Sequence, residues 1–407
     1  MVNSADFNLP NLIRSYQNPH GLYAALRSQD PLYYDSMSQS WLVTGHKAIM
    51  EILSDSRFSS ELNFGQPNPK RGAKPPFWET SVNKQIIFAD GDFHRQVQNI
   101  ILHQLARMKK DLPAHVHRVV TSLLENIRDK SEFDLVDDFA APLSLLVIAH
   151  VLGLSPANLE TLRQLSAWSD THGDVTSGYL RVDIRDIDRL GDYFHKLLAQ
   201  KRQTPTTDLI SAFLKPHDVF ANDDEIIANC MMVFGAGRGT TRKLIGNGIP
   251  MLIPHWQTWR EAFQADPTIS KQLTEELLRM VTPTRYLFRQ ATQDVDLSGQ
   301  FPGNHRIRRG DKIMLFLEAA NRDPDYFLHP DTLDPQRQPN RHLAFGFGPH
   351  HCPGAKLARL EIQTALEMLF TTFANLQSKR SSPPAWNPNP NIGGYTAYGV
   401  CPVRHAA

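Results

Sequence analysis

Cysteine is scarce in this 407-residue chain: Cys230, Cys352 and Cys401 stand far apart, and none belongs to a CxxC pair. That spacing excludes a disulfide framework and a zinc knuckle, so each thiol has to be explained singly. Net charge is nearly absent as well, at +1, which gives no electrostatic reason to expect a nucleic acid or an anionic membrane as partner. No apolar run near the N-terminus is long enough for a signal peptide, and no later stretch reads as the roughly 18 residues a membrane span needs. The expectation is a cytoplasmic protein. No internal repeat is visible, and a hydrophobic fraction of 41% with 21% charged residues is that of an ordinary globular protein.

What is present is chiefly helical periodicity. It predicts helices over 114–128, 137–152, 187–202, 222–252, 271–281 and 355–373, with strands over 40–46, 286–300 and 312–317. In the last helix Leu357, Leu360, Leu366, Leu369 and Phe373 recur at the spacing of a core-facing stripe. Proline and glycine cluster at 65–78 (GQPNPKRGAKPPFW) and 381–394 (SSPPAWNPNPNIGG). The first reads as a long loop and the second as irregular chain before a terminal hairpin; neither has the polarity of a flexible linker. The reading is one large domain over 1–407, mainly α with a small β region.

The rare residue types meet in FGFGPHHCPG, residues 345–354. One cysteine thiolate suffices to hold haem iron. Gly346, Gly348 and Gly354 suit a turn in which the backbone passes close to a macrocycle. Phe345 is placed to shield the sulfur, and His350 is a candidate partner for a haem propionate. Pro353 has no N–H, so backbone donors to the sulfur would come from Gly354 and Ala355, in the first turn of the 355–373 helix, whose positive dipole end would face the thiolate. An isolated cysteine is more often a small core residue; the surrounding pattern decides otherwise.

That string resembles the haem-binding signature of the cytochrome P450 superfamily, FxxGxxxCxG, with Phe345, Gly348, Cys352 and Gly354 in the fixed positions. Other stretches are similar to the family in its order. EELLR places Glu276 and Arg279 on one helix face, as in the ExxR motif, with Arg337 a candidate third member. FRQATQDVDLSGQ resembles the strand whose arginine reaches a propionate, here Arg289. DGDFHRQVQNIILHQL resembles the helix that gives a histidine to a propionate, here His94, although Gln98 replaces the usual basic residue four positions on. The resemblance runs from about 18 to 403. It implies the family's α-rich triangular prism, haem b (iron protoporphyrin IX), and a ferredoxin or flavodoxin-like electron donor with its reductase; Arg107, Lys109 and Lys110 are candidates for the donor's docking face.

MMVFGAGRGTTRK, residues 231–243, falls in the middle of the 222–252 helix, opened by a capping box of Asn222 and Glu225. Glycine in a helix interior costs about 1 kcal/mol, so Gly235, Gly237 and Gly239 need a reason. The resemblance supplies one: this helix would cross the distal face of the haem, and missing side chains would leave room for dioxygen and substrate. Ala236, Gly237 and Thr240 match the pattern (A/G)GxxT, but Gly239 stands where the family usually has an acid. Dioxygen activation consumes two protons, which an acid and alcohol commonly relay. Thr240 remains to steady the oxygen, and water, a substrate group or Thr241 would have to supply the protons. Arg238, two residues from Thr240, points to the other side of the helix.

Substrate contacts implied by the resemblance are Phe77 and Trp78 in the 65–90 loop, Trp168, Phe234, the turn with Thr284, Arg285 and Tyr286, and Ala397 in the terminal hairpin. Arg285 is suited to an anionic or carbonyl-rich substrate, though an ion-paired arginine fits the sequence equally well, and core packing competes for each aromatic. The implied activity is a monooxygenase that oxidises a medium-sized, secondary-metabolite-type organic molecule. Two alternatives stay open: a peroxide-using or redox-neutral enzyme of the same family, and a haem protein that senses a ligand without turnover.

Overall fold

The computed structural model describes residues 8–15, 17–61, 84–154, 159–176, 185–215, 218–301, 303–379 and 383–403. The 65–78 loop, with Phe77 and Trp78, lies outside the described residues.

The elements run α1 (Leu9–Arg14), α2 (His20–Gln29), β1 (Leu32–Asp35), β2 (Ser40–Val43), α3 (His46–Ser54), β3 (Phe58–Ser59), α4 (Gly91–Arg107), α5 (Asp111–Ile127) and β4 (Phe133–Asp134). Next come α6 (Ala141–Leu152), α7 (Leu159–Thr176), α8 (Arg185–Gln203), α9 (Leu209–Phe213), α10 (Asp223–Leu252), α11 (Trp256–Ala265) and α12 (Ile269–Val281). Then follow β5 (Tyr286–Ala291), β6 (Val295–Asp296), β7 (Arg306–Ile307), β8 (Lys312–Phe316), α13 (Leu317–Ala320) and α14 (Ala355–Thr372). The chain closes with β9 (Asn375–Ser378), β10 (Ala385–Trp386), β11 (Tyr395–Ala397) and β12 (Gly399–Val403).

The chain divides into two compact units. The first comprises Met1–Leu62, Gly246–Cys352 and Pro384–Thr396; the second comprises Asn63–Ile245, Pro353–Pro383 and Ala397–Ala407.

In the first unit a five-stranded sheet is ordered β1-β2-β8-β5-β3. β2 and β8 are parallel, and the other neighbours are antiparallel. All four residues of SWLV in β2 are buried, because successive side chains point to opposite faces and both faces are covered. Trp41 and Val43 join Ile49 and Ile52 of α3 on one face; Leu42 joins Tyr23 and Leu26 of α2 on the other.

The second unit is mostly helical, with a small sheet ordered β4-β12-β9. Its core gathers Val97 and Ile101 of α4, Ile148 and Leu152 of α6, Leu162 and Leu165 of α7, Phe194 of α8, and Met231 and Phe234 of α10. The helix predicted over 137–152 is α6 preceded by a π-helical turn, Leu135–Ala140. The sequence reading of no membrane-length segment needs correction: the combined Leu135–Leu152 is long and apolar enough to cross a membrane, yet 72% of it is buried inside the fold. Helix α7, absent from the sequence reading, is the main addition.

Candidate functional site

The cysteine sits at the end of a tightly folded loop in the first unit. Gly346 and Gly348 have φ of +69° and +71°, a left-handed backbone that costs an L side chain about 1–2 kcal/mol. Gly348 is constrained a second time, since a Cβ there would lie 2.6 Å from the carbonyl oxygen of Leu53. The Cys352 N–H donates to the Phe345 carbonyl at 3.0 Å and the His351 N–H to the Gly348 carbonyl at 3.0 Å, so the turn holds itself. Cys352 is half-buried and forms no disulfide. His350 Nε2 lies 3.1 Å from Ser60 Oγ. Arg289, on β5 opposite Ile313, is buried and donates Nη1 to the Phe288 carbonyl at 2.7 Å.

Glu276 and Arg279 are both wholly buried, which rules out a solvated surface pair. Arg279 Nε and Nη2 grip the two carboxylate oxygens at 2.9 and 2.7 Å. The same carboxylate accepts the Asp334 N–H, Arg337 Nε and Asn340 Nδ2, so Arg337 is indeed the third member. Burial alone would raise the pKa of Glu276, but the Arg279 hydrogen bonds, the Asp334 N–H and the two guanidinium charges outweigh it and hold the carboxyl below its usual range. The network also ties Arg279 Nη1 to the carbonyls of Asn321 and Pro330 at 2.8 and 2.7 Å, bracing the segment that leads to the cysteine loop.

In the second unit His94 is buried on α4, and Gln98 stands one turn on. Along α10, Ala236 is exposed, Gly237, Gly239 and Thr240 are partly exposed, and Thr241 is buried. The three glycines do not share one cause. A Cβ at Gly237 would lie 2.5 Å from Ile148 of α6, and one at Gly235 would lie 3.0 Å from Ser169 of α7, so both allow helices to pack closely; only Gly239 faces open space. Thr240 Oγ1 donates to the Ala236 carbonyl at 2.6 Å, which leaves its lone pairs as acceptors. Arg238 is buried and donates Nη2 to Asp170 of α7 at 2.7 Å.

Three of the candidate substrate residues, Arg285, Tyr286 and Phe234, are buried. Arg285 does not reach into open space: its buried guanidinium lies 3.3 Å from Glu318, with Trp386 5.9 Å from its centre. Tyr286 is buried edge-on to Phe288 and Phe316. Of Pro283, Thr284, Arg285 and Tyr286, only Thr284 has a partly exposed side chain. Phe234 is fully buried and edge-on to Phe194, serving the core. Trp168 is half-buried against the same core. Gly354 is the N-cap of α14, and Ala397 ends β11, partly exposed. Glu318 and Asp170, the counter-charges of the two buried arginines, were invisible to motif reading; an arginine in an apolar stretch is itself the signal to look for one.

A family model described as Cytochrome P450 matches residues 267–394, the segment that carries Glu276, Arg279, Arg289 and Cys352. The biotin biosynthesis cytochrome P450 of Bacillus subtilis (strain 168) is 30% identical over 367 residues, covering 88% of this chain and 90% of that protein. The chain belongs to the cytochrome P450 family. Another P450 relative, the vitamin D(3) 25-hydroxylase of Pseudonocardia autotrophica, is 31% identical over 364 residues, covering 87% of this chain and 86% of that protein. A solved structure of P450BioI in complex with hexadec-9Z-enoic acid ligated acyl carrier protein matches with TM-score 0.84 at 28% identity, covering 96% of this chain and all of that one. The fold is therefore the P450 fold, mainly α with small sheets, and the chain is an enzyme of the bacterial P450 monooxygenase family.

P450 proteins hold haem iron, and the donor set here fits that group. An iron held at Cys352 would take its thiolate as protein ligand, as thiolate haem does.

Proposed function

We propose that this P450 is a haem-thiolate monooxygenase that takes electrons from separate redox partners and oxidises a medium-sized organic molecule of secondary-metabolite type. One observation carries the reading: a half-buried cysteine outside any disulfide, at the end of a loop held by two left-handed glycines. Bound haem b would supply the iron at which dioxygen is activated. Cys352 would be its ligand, donating electron density from the thiolate, with Phe345 beside the sulfur and Gly348 and Gly354 giving the backbone its close approach. His94, Arg289 and His350 would hold the propionates by charge-assisted hydrogen bonds, and Ala236 and Gly237 would lie along the macrocycle.

Thr240 works in this reading as an acceptor. Its proton is committed to the Ala236 carbonyl, so its lone pairs orient a water that brings protons rather than providing the first proton itself. Gly239 offers no acid, and the neighbouring Thr241 is buried. The exposed Arg107, Lys109 and Lys110 suit an acidic ferredoxin or flavodoxin-like donor, whose steering would weaken with salt. For the substrate, a relative named for vitamin D(3) 25-hydroxylation and a structural neighbour in complex with hexadec-9Z-enoic acid on acyl carrier protein favour a sizeable, largely apolar molecule; Thr284, Trp168 and Ala397 are its candidate contacts.

Carbon monoxide added to the reduced holoprotein is expected to give the absorption band of thiolate ligation, and Cys352→Ser to abolish it. A band of the histidine-ligated type in the wild-type protein would refute the reading. The open space at Gly239 favours a second reading, in which peroxide is used directly. Gly239→Asp separates the two: under the monooxygenase reading it raises the share of electrons recovered in product instead of released peroxide, and under the second it leaves peroxide-driven turnover no better.

A further inference from the structure

The stretch Asn387-Pro388-Asn389-Pro390-Asn391 has no regular secondary structure, yet its backbone donors are all met. Pro388 and Pro390 have no N–H to satisfy. The Asn387 N–H donates to the Gly394 carbonyl at 2.9 Å, and the Asn389 N–H to Asn387 Oδ1 at 2.9 Å. Asn389 Oδ1 in turn accepts the N–H groups of Asn391 and Ile392 at 2.9 and 3.1 Å. These are successive Asx turns, in which each side chain mimics the backbone of the next turn. Gly393 closes the structure, since a Cβ there would lie 2.3 Å from the Asn389 carbonyl oxygen. The alternation of asparagine and proline thus builds a short rod that satisfies itself.

The last side chain of the rod is spent elsewhere. Asn391 is 7% exposed, and its Oδ1 accepts the N–H groups of Arg285 and Tyr286 at 3.0 and 3.1 Å, while its own carbonyl accepts the Arg285 N–H at 3.2 Å. Among the described residues no ladder joins these two segments: β10 and β11 pair with each other, and β5 belongs to the five-stranded sheet. With the backbone of Arg285 and Tyr286 held and both side chains turned into the core, Thr284 is left as the accessible side chain of that turn. At the far end of the hairpin, the Tyr395 N–H donates to Asn247 Oδ1 at 2.9 Å.

We propose that Asn391 is a positioning residue for substrate recognition, joining the 283–286 turn and the β10–β11 hairpin into one wall that fixes Thr284. The inference rests on the reading above that these segments line the pocket of a haem enzyme. A buried N–H left without an acceptor is costly enough for the turn to move rather than stay unsatisfied, so loss of Asn391 changes the shape of the wall without touching the iron.

The test uses purified holoprotein titrated spectrally with two iron ligands, imidazole and the bulkier 4-phenylimidazole, whose added ring would have to be accommodated by the substrate pocket. Asn391→Ala is expected to leave the imidazole Kd within about twofold and to shift the 4-phenylimidazole Kd by about tenfold, the scale of one lost buried hydrogen bond. Asn391→Asp keeps the accepting oxygens and is expected to restore the wild-type ratio. Equal shifts for both ligands, no shift for either, or failure of Asn391→Asp to rescue would overturn the assignment. Should Asn391→Ala fail to fold, Asn391→Leu, which fills the space but accepts no N–H, gives the same comparison. A wild-type protein without the thiolate band would instead refute the haem reading, which the ratio of the two Kd values does not address.

Discussion

Glu361, on α14, shows a single residue set against its surroundings. It is 2% exposed, and its Oε2 has no hydrogen-bond partner. Burial pushes its carboxyl pKa well above the usual range, so the folded chain carries it as a neutral acid. An acid whose folded pKa is raised lends full stability only below its unfolded value near 4.5, and the contribution is lost as pH rises through the interval to the folded value. Glu361→Gln keeps the shape and removes the proton requirement. We expect it to raise Tm by on the order of a few degrees, with a gain that widens as pH rises above about 4.5; a gain independent of pH would show that the carboxyl is not the cause. Arg285 carries the residue-scale lesson about legibility. Its place in a turn was readable, but its direction was set by Glu318, 33 positions away in sequence, which no local pattern reveals.

At the scale of the element, α10 makes opposite demands at two neighbouring glycines. Gly237→Ala would gain helix propensity, yet its methyl would meet Ile148 at 2.5 Å; overpacking of this kind costs about 1–3 kcal/mol. Gly239→Ala meets nothing within 4 Å and should gain about 0.5–1 kcal/mol. Denaturant titration of the two variants is expected to give ΔΔG of opposite sign, and equal signs would refute the packing account. The same interface explains why α7 escaped the sequence reading. Its inward stripe is Leu162, Leu165, Ser169 and His172, all buried at spacings of three and four. Half of that stripe is polar, so hydrophobic periodicity is silent although the geometry is helical. The turn at 345–352 was legible for the opposite reason: a left-handed backbone demands glycine, and Gly346 and Gly348 stand in the string itself.

For the whole molecule, each unit holds a histidine that resists protonation, His172 buried and His20 half-buried. Burial lowers the pKa of His172 to about 4, and Gln85 Nε2, 2.6 Å from its Nε2, donates to a bare ring nitrogen. In the first unit burial, only partly offset by Glu318, lowers His20 to about 4 as well. Unfolded histidine titrates near 6.5, so the unfolded chain binds more protons between pH 6.5 and 4. The contribution of these two histidines to stability is therefore full above pH 6.5 and falls as pH drops toward 4. Thermal unfolding followed from pH 7 to pH 5 is expected to show a proton uptake that grows as pH falls, to which His172 and His20 each add close to one proton and from which Glu361 subtracts. His172→Phe should remove one of those protons; an unchanged uptake would locate the acid sensitivity elsewhere. The broad architecture was readable from composition and periodicity because most of its helices bury plain apolar stripes, whereas ties such as Asn391 to Arg285 consist of single side chains whose partners only the fold brings near.

The length Leu135–Leu152 is greasy enough to pass for a lipid-spanning piece, and tertiary burial alone hides it. A newly synthesised chain must therefore cover these 18 residues soon after they emerge, or chaperones and self-association will compete for them. Mutations that loosen the second unit should thus show first as inclusion bodies, before any fault in catalysis becomes measurable.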